Sequence, residues 1–354
     1  MYFFYFNTFL SLLVIGSTSS NGKIIESSKN EKEFTKTASE LLANADQNVE
    51  TQSDDEKRTL NRRTTKQSIA NLYLELAKAY ILEAALKKGK ALTSLVYLED
   101  NCKKIKKVGE PIVHHHSGKT QGAWMKDPLG LLGAKKIWYI NGYHGNKVLE
   151  FEDMDHFKAG KFLKHILPYN IAGTGSVVYG RYLYFHRSGT CNVVQYDLEY
   201  SRVSKQACPN SNIKSGQYSY QWGGYSGVDL SVDESGLWVL WAYKGYSGKL
   251  CATLMDPLTL RTLSNYYGIS SESKTSMGNA FVACGIVYSI DSCHARSTAI
   301  NYAYDVGKRT GSNPNIKFTN KFGYNSMVTY NPREKVLYAW DRHRQITYPL
   351  EFEK

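Results

Sequence analysis

The chain has 354 residues, 42% hydrophobic and 21% charged, with a formal net charge of +12. This is the balance of a globular protein with length for one large or two smaller domains, not that of a disordered or fibrous chain. No basic block is long enough for a nucleic-acid arm, so no nucleic-acid partner is expected; the positive balance leaves an anionic membrane, an acidic glycan or an ordinary solvated surface.

The first twenty residues, "MYFFYFNTFLSLLVIGSTSS", are apolar for about fifteen positions and end in small polar ones. That is short of the ~20 residues a membrane span needs. It fits a secretory signal peptide over residues 1–20, cleaved between Gly16 and Ser20. The usual positive leader is missing, so a signal anchor stays open. No second run is long enough to span a membrane, so the mature chain is expected to have no transmembrane span. Six cysteines, none in a CxxC pair, suit an oxidising compartment rather than a zinc knuckle.

Residues 21–64 are mostly Lys, Glu, Asp, Ser, Thr and Asn and read as a polar linker. From Thr65 to Asp100 the pattern becomes helical. Ile69, Leu72, Leu76, Ala79 and Leu86 follow 3–4 spacing, and no proline interrupts. A coiled coil that self-associates is one expectation for 65–100. Glu83 at a seam position and Gly89 argue instead for a single amphipathic helix.

Beyond Cys102 the helical spacing stops and the sequence repeats. Copies begin at Ile137 ("IWYINGYHGNKVLEFED"), Tyr182 ("YLYFHRSGTCNVVQYDL"), Leu237 ("LWVLWAYKGYSGKLCATLMDP"), Ile286 and Val336. Trp138, Leu183, Trp238, Val287 and Leu337 match, about 45 to 55 residues apart. Each copy is an apolar strand, a polar turn and an alternating strand. The period suits one four-stranded blade of a β-propeller, and a blade must stack on neighbours to bury both faces. Five copies predict an all-β, five-bladed β-propeller over 101–354. The last copy ends almost at Lys354, so a strand near Ile105 to Val113 is expected to complete the last blade.

Several segments resemble the olfactomedin family. They are "GKTQGAWMKDP" (118–128), "LPYNIAGTGSVVYGRYLYFHR" (167–187), "YQWGGYSGVDLSVDESGLWVLW" (220–241), "NAFVACG" (279–285) and "YNPREKVLYAWD" (330–341). The resemblance covers about Cys102 to Lys354. It implies a five-bladed propeller in a secreted or cell-surface protein that binds other proteins and carries no enzymatic hallmark. It also implies a disulfide between Cys102 and Cys284, worth on the order of 4–5 kcal/mol on the loop-entropy model. Cys191 and Cys208 flank a hairpin centred on Glu199–Tyr200, which makes their bridge plausible by register. Cys251 and Cys293 are then paired by elimination alone.

The family's central calcium site maps onto Asp229 as a carboxylate, Asn279 as a side-chain amide, and Ala280 and Val328 as carbonyls. Thr329 stands where the family has a second Asp. Calcium takes six to eight oxygens, carboxylates among them. The loss of one acid is expected to leave weak calcium binding, a monovalent cation or water, or an Asp229 paired within the channel. Asp233 is expected to cap the turn at Glu234–Gly236. His114, His115 and His116 cannot share one strand face and are expected in a solvated loop. "WGGY" is a turn and not a phosphate cradle. Chemistry in the channel, or a surface for acidic glycans or lipid headgroups, remain as alternative functions; glycosidase chemistry would need a second acid facing Asp229.

Overall fold

The computed structural model describes residues 102–353. The expected signal peptide, linker and helical segment lie outside the described residues. Two short strands, β1 (Ile105–Val108) and β2 (Ile112–His116), come first. Five blades follow. The first holds β3 (Gly122–Met125), β4 (Ile137–Asn141), β5 (His144–Phe151) and β6 (Leu163–Ala172), with helix α1 (Met154–Ala159) between the last two. The second holds β7 (Val177–Tyr179), β8 (Tyr182–His186), β9 (Val193–Asp197) and β10 (Arg202–Ala207). The third holds β11 (Asp229–Asp233), β12 (Gly236–Ala242), β13 (Leu250–Met255) and β14 (Thr262–Tyr266). The fourth holds β15 (Asn279–Ala283), β16 (Ile286–Ile290), β17 (Ser297–Asp305), β18 (Thr310–Ser312) and β19 (Ile316–Thr319), the last two both pairing with β17. The fifth holds β20 (Asn325–Asn331), β21 (Val336–Asp341) and β22 (Arg344–Phe352).

Ring closure falls where the repeat count placed it. β22 is the last strand among the described residues, and its outer edge is taken by β1 and β2, with Val108 opposite Leu350 and Ile112 opposite Thr347. The three histidines therefore lie in a strand and not in the expected loop. Backbone pairing to β22 extends the strand to His116, and each ring has its own neighbour. His114 bonds Thr347 Oγ1 at 2.8 Å, His115 sits edge-on to Phe157, and His116 faces His343.

Burial follows the strand order. β11, β15 and β20 are buried at every position, while β10 and β14, on the outside, are not. A strand covered on both faces has no solvent side, so its pattern is continuous and not alternating. The inter-blade cores are aromatic. Trp124, Trp138, Trp238, Trp241 and Trp340 are all buried, and the Trp124 indole donates to the Ala339 carbonyl at 2.9 Å, fastening the first blade to the fifth. Every blade is an antiparallel meander, so its loops alternate between two faces. We call the face where β3, β7, β11, β15 and β20 begin the leading face and the other the trailing face.

Candidate functional site

Asp229 opens β11 and Asn279 opens β15, so the two implied ligands stand at the leading ends of neighbouring inner strands. Gly175 lets Asp229 come close: a Cβ at Gly175 would lie 1.8 Å from Asp229 Oδ1. The other carboxylate oxygen, Oδ2, accepts the Tyr220 hydroxyl at 2.9 Å. The Tyr220 ring carries the Lys274 ammonium 3.5 Å from its centroid. Lys274 is fully buried and donates to the carbonyls of Ser226 and Tyr218. Burial pushes the Asp229 carboxyl up and the Lys274 ammonium down, and each charge opposes that effect on the other.

The remaining implied ligands are less free. Asn279 Oδ1 already accepts the Ala280 N–H at 3.0 Å. Thr329 is buried in β20, and its hydroxyl has no hydrogen-bond partner among the described residues. It lines a cavity of about 10 Å³ with Val177, Val232 and Tyr338, barely room for one water. The donor set is thus one carboxylate opposed by a buried ammonium, one amide oxygen in use, a neutral hydroxyl, and the uncharged carbonyls of Ala280 and Val328. This does not fit a calcium ion, which is held by carboxylate charge.

Asp233 is fully buried. It accepts the Ser235 N–H and the Trp238 indole on Oδ1, and the Gly285 N–H on Oδ2, all at 2.8 Å. Its cap therefore serves its own turn and the next blade's. Beside it Glu234 accepts the Tyr330 hydroxyl at 3.0 Å and the Cys284 N–H at 3.1 Å. Burial, then repulsion from Asp233, pushes the Glu234 carboxyl up to about 7. Asp127 is also pushed up to about 7 by burial, against three backbone N–H donors at Leu129, Leu131 and Gly180. These acids close turns on the trailing face; none faces Asp229 as a second catalytic acid.

Cys102 and Cys284 are bonded, with Cα atoms 5.1 Å apart, and so are Cys191 and Cys208. The expected third bridge is absent: Cys251 and Cys293 are free and buried. Cys251 is in β13 of the third blade and receives the Gly268 N–H, while Cys293 follows β16 in the fourth and points to Gln221. Elimination carried no geometric information, and each thiol packs in a different core cluster. One ligand atom each from Cys102, Glu234 and Cys284 lies within 4.8 Å of the others, a group that could chelate a metal ion. Its sulfurs are spent on each other, so thiolate ligation there requires prior reduction.

Lys274 and Tyr220 were not among the residues the sequence singled out. Lys274 lies in "SESKTSMGN", a polar stretch that reads as solvated loop. The one available signal was its position five residues before Asn279.

Residues 98–354 match the olfactomedin-like domain family. Myocilin of Canis lupus familiaris is 35% identical over 266 residues, covering 72% of this chain and 54% of that protein. Myocilin of Macaca fascicularis is 34% identical over 266 residues, covering 72% and 53%. Myocilin of Rattus norvegicus is 35% identical over 257 residues, covering 70% and 50%. The chain spans about half the length of these curated relatives.

Proposed function

Because the chain belongs to the olfactomedin-like domain family, we propose that it is a secreted, non-enzymatic module that binds other extracellular or cell-surface proteins. The supporting observation is on β6, the outer strand of the first blade. Leu163 and Ile166 are 60% and 51% exposed there, and Phe162, just before the strand, is 51% exposed. The second half of β6 is bridged to Arg187 and Ser188, but its first half is an outer edge with bare apolar side chains, a template for a partner's strand or apolar surface. The two disulfides suit an extracellular location. No helix among the described residues is long and apolar enough to cross a membrane.

We propose the bounds 1–20 for a signal peptide, 21–64 for a linker and 65–100 for a helical segment. Self-association through 65–100 would raise affinity by avidity. Sedimentation of the full mature chain tests that part, and a monomeric mass rejects it.

The binding function is tested by applying the labelled full mature chain to cells and photo-cross-linking. Capture should depend on cell-surface protein and fall at least fivefold in Leu163→Lys/Ile166→Lys. Binding unchanged by prior protease treatment of the cells rejects a protein receptor.

A further inference from the structure

The two faces of the propeller differ in charge, and the difference is separate from the β6 surface. On the trailing face and the rim, acids are interspersed with the bases and several pair with them, although Lys135, Arg309 and Lys335 there make no ion pair within 4.0 Å among the described residues. Lys126 pairs with Glu334, Lys136 with Glu150 and Glu152, Arg181 with Asp197 and Lys308 with Asp305. On the leading face the bases lack such partners. The loops there carry Lys119 and Arg342 where the first and fifth blades meet, Arg187 and Lys214 after β8 and β10, and Arg296 and Lys321 around the fourth blade. All are exposed or half-buried, and none makes an ion pair within 4.0 Å among the described residues. The acids of this face offer little compensation. Asp341 is buried, accepting the Phe322 and Tyr324 N–H groups, and Asp229 is buried opposite Lys274. Glu272 and Asp291 are the exposed ones.

Aromatic rings lie among these charges. Tyr246 and Tyr267 stack with centroids 5.6 Å apart and are 41% and 39% exposed. Lys244 and Lys249 flank Tyr246. Tyr225, half exposed with φ +58° in the loop before β11, packs on Tyr143 and His144 of the first blade. Beneath it the Trp222 indole N–H is buried and has no acceptor.

From this we propose that the leading face binds a sulfated glycan chain. The charges are spread over several blades and do not converge on a point, which suits an extended polyanion better than a single phosphate or carboxylate. The half-exposed tyrosine rings between them offer flat apolar faces to sugar C–H groups, which a polypeptide acid does not require. Cations without an acidic partner gain most from such a ligand because no ion pair has to be given up, although Arg187 already donates to Gln206 and lies on the Tyr169 ring. Much of the chain's +12 formal charge would then serve recognition.

The test uses the full chain and a heparin-derived octasaccharide, read by calorimetry at several salt concentrations. The expected result is binding that weakens steeply with salt. Lys119→Glu/Lys321→Glu should bind at least tenfold more weakly. Arg309→Glu/Lys335→Glu on the trailing face, with the same change in net charge, should stay within twofold. Tyr246→Ser should weaken binding about threefold to tenfold and leave the salt slope unchanged, the signature of a stacking contact. Equal losses in the two charge-reversal variants would mean attraction to net charge alone and overturn the proposal. So would poly-glutamate of matched charge binding as tightly as the octasaccharide, which assigns the face to an acidic protein. Binding to phosphatidylserine vesicles but not to the octasaccharide would overturn it in favour of a lipid surface.

Discussion

The Lys274 ammonium sits over the Tyr220 ring at 3.5 Å, and that ring's hydroxyl is bonded to Asp229. A cation, an aromatic face and an anion are thereby stacked in the buried inner wall of the ring. The arrangement supplies Asp229 with a counter-charge from the chain itself. A buried charge that loses its partner is costly, whereas removing both is often nearly neutral. Lys274→Met should therefore destabilise the chain by about 3 kcal/mol. Adding Asp229→Asn should recover more than half of that. Urea unfolding of the three proteins measures it; a Lys274→Met cost under about 0.5 kcal/mol would show that the ammonium is not the compensating charge.

Calcium should stabilise the native chain little. Thermal unfolding with calcium and with chelator should give nearly equal midpoints for the natural sequence. Thr329→Asp adds the second carboxylate and should make the midpoint clearly calcium-dependent, by mass action on the folded state. A large chelator-sensitive shift in the natural sequence contradicts the reading of this donor set.

Glu234 gives a pH dependence of definite sign. Its carboxyl is raised from an ordinary 4.5 to about 7 in the folded state. The unfolded chain releases that proton first, so stability falls as pH rises from about 4.5 to 7 and is flat above. Glu234→Gln keeps the shape and cannot ionise. Its stability relative to the natural chain should be unchanged at pH 4 and higher by roughly 1–3 kcal/mol at pH 8. Denaturant titrations at the two pH values decide it; a gain that is equal at both, or larger at pH 4, has the wrong sign.

The two disulfides should differ in worth. The bridge Cys102–Cys284 closes a separation of 182 residues and Cys191–Cys208 one of 17. Loop entropy assigns about 5 kcal/mol to the first and about 3 to the second. Cys102→Ser/Cys284→Ser should accordingly unfold at lower denaturant than Cys191→Ser/Cys208→Ser. The long bridge also ties Cys102, three residues before closing strand β1, to the fourth blade. Equal midpoints would mean that loop length is not what sets their contributions.

Cys251 and Cys293 should be silent thiols. Burial raises both to about 11, so neither is a ready nucleophile. A thiol reagent should label neither in the native chain and both in denaturant without reductant. Absence of labelling in denaturant would restore the bridge that the structure lacks.

How far the sequence reached can be seen residue by residue. The matched positions from Trp138 to Leu337 gave the blade count because a blade's apolar strands recur at a fixed period whatever surrounds them. The strand near Ile105 to Val113 was legible as the closing strand because the copy beginning at Val336 holds too few strands for a blade, and an open edge would leave backbone groups unpaired. Turn chemistry at Asp233 was legible because the capping acid and its turn are adjacent in sequence. Lys274 was not. Nothing local distinguishes a buried lysine from a solvated one, and its meaning depends on Tyr220 and Asp229, which reach it only when the third and fourth blades close against each other. The free thiols failed for the same reason, since pairing by elimination ignores which core each cysteine enters. The asymmetry of charge between the two faces also waited for the fold: Lys119 and Lys321 are 202 residues apart in the chain, and only the alternation of meander loops, repeated around a ring, sends both to one face.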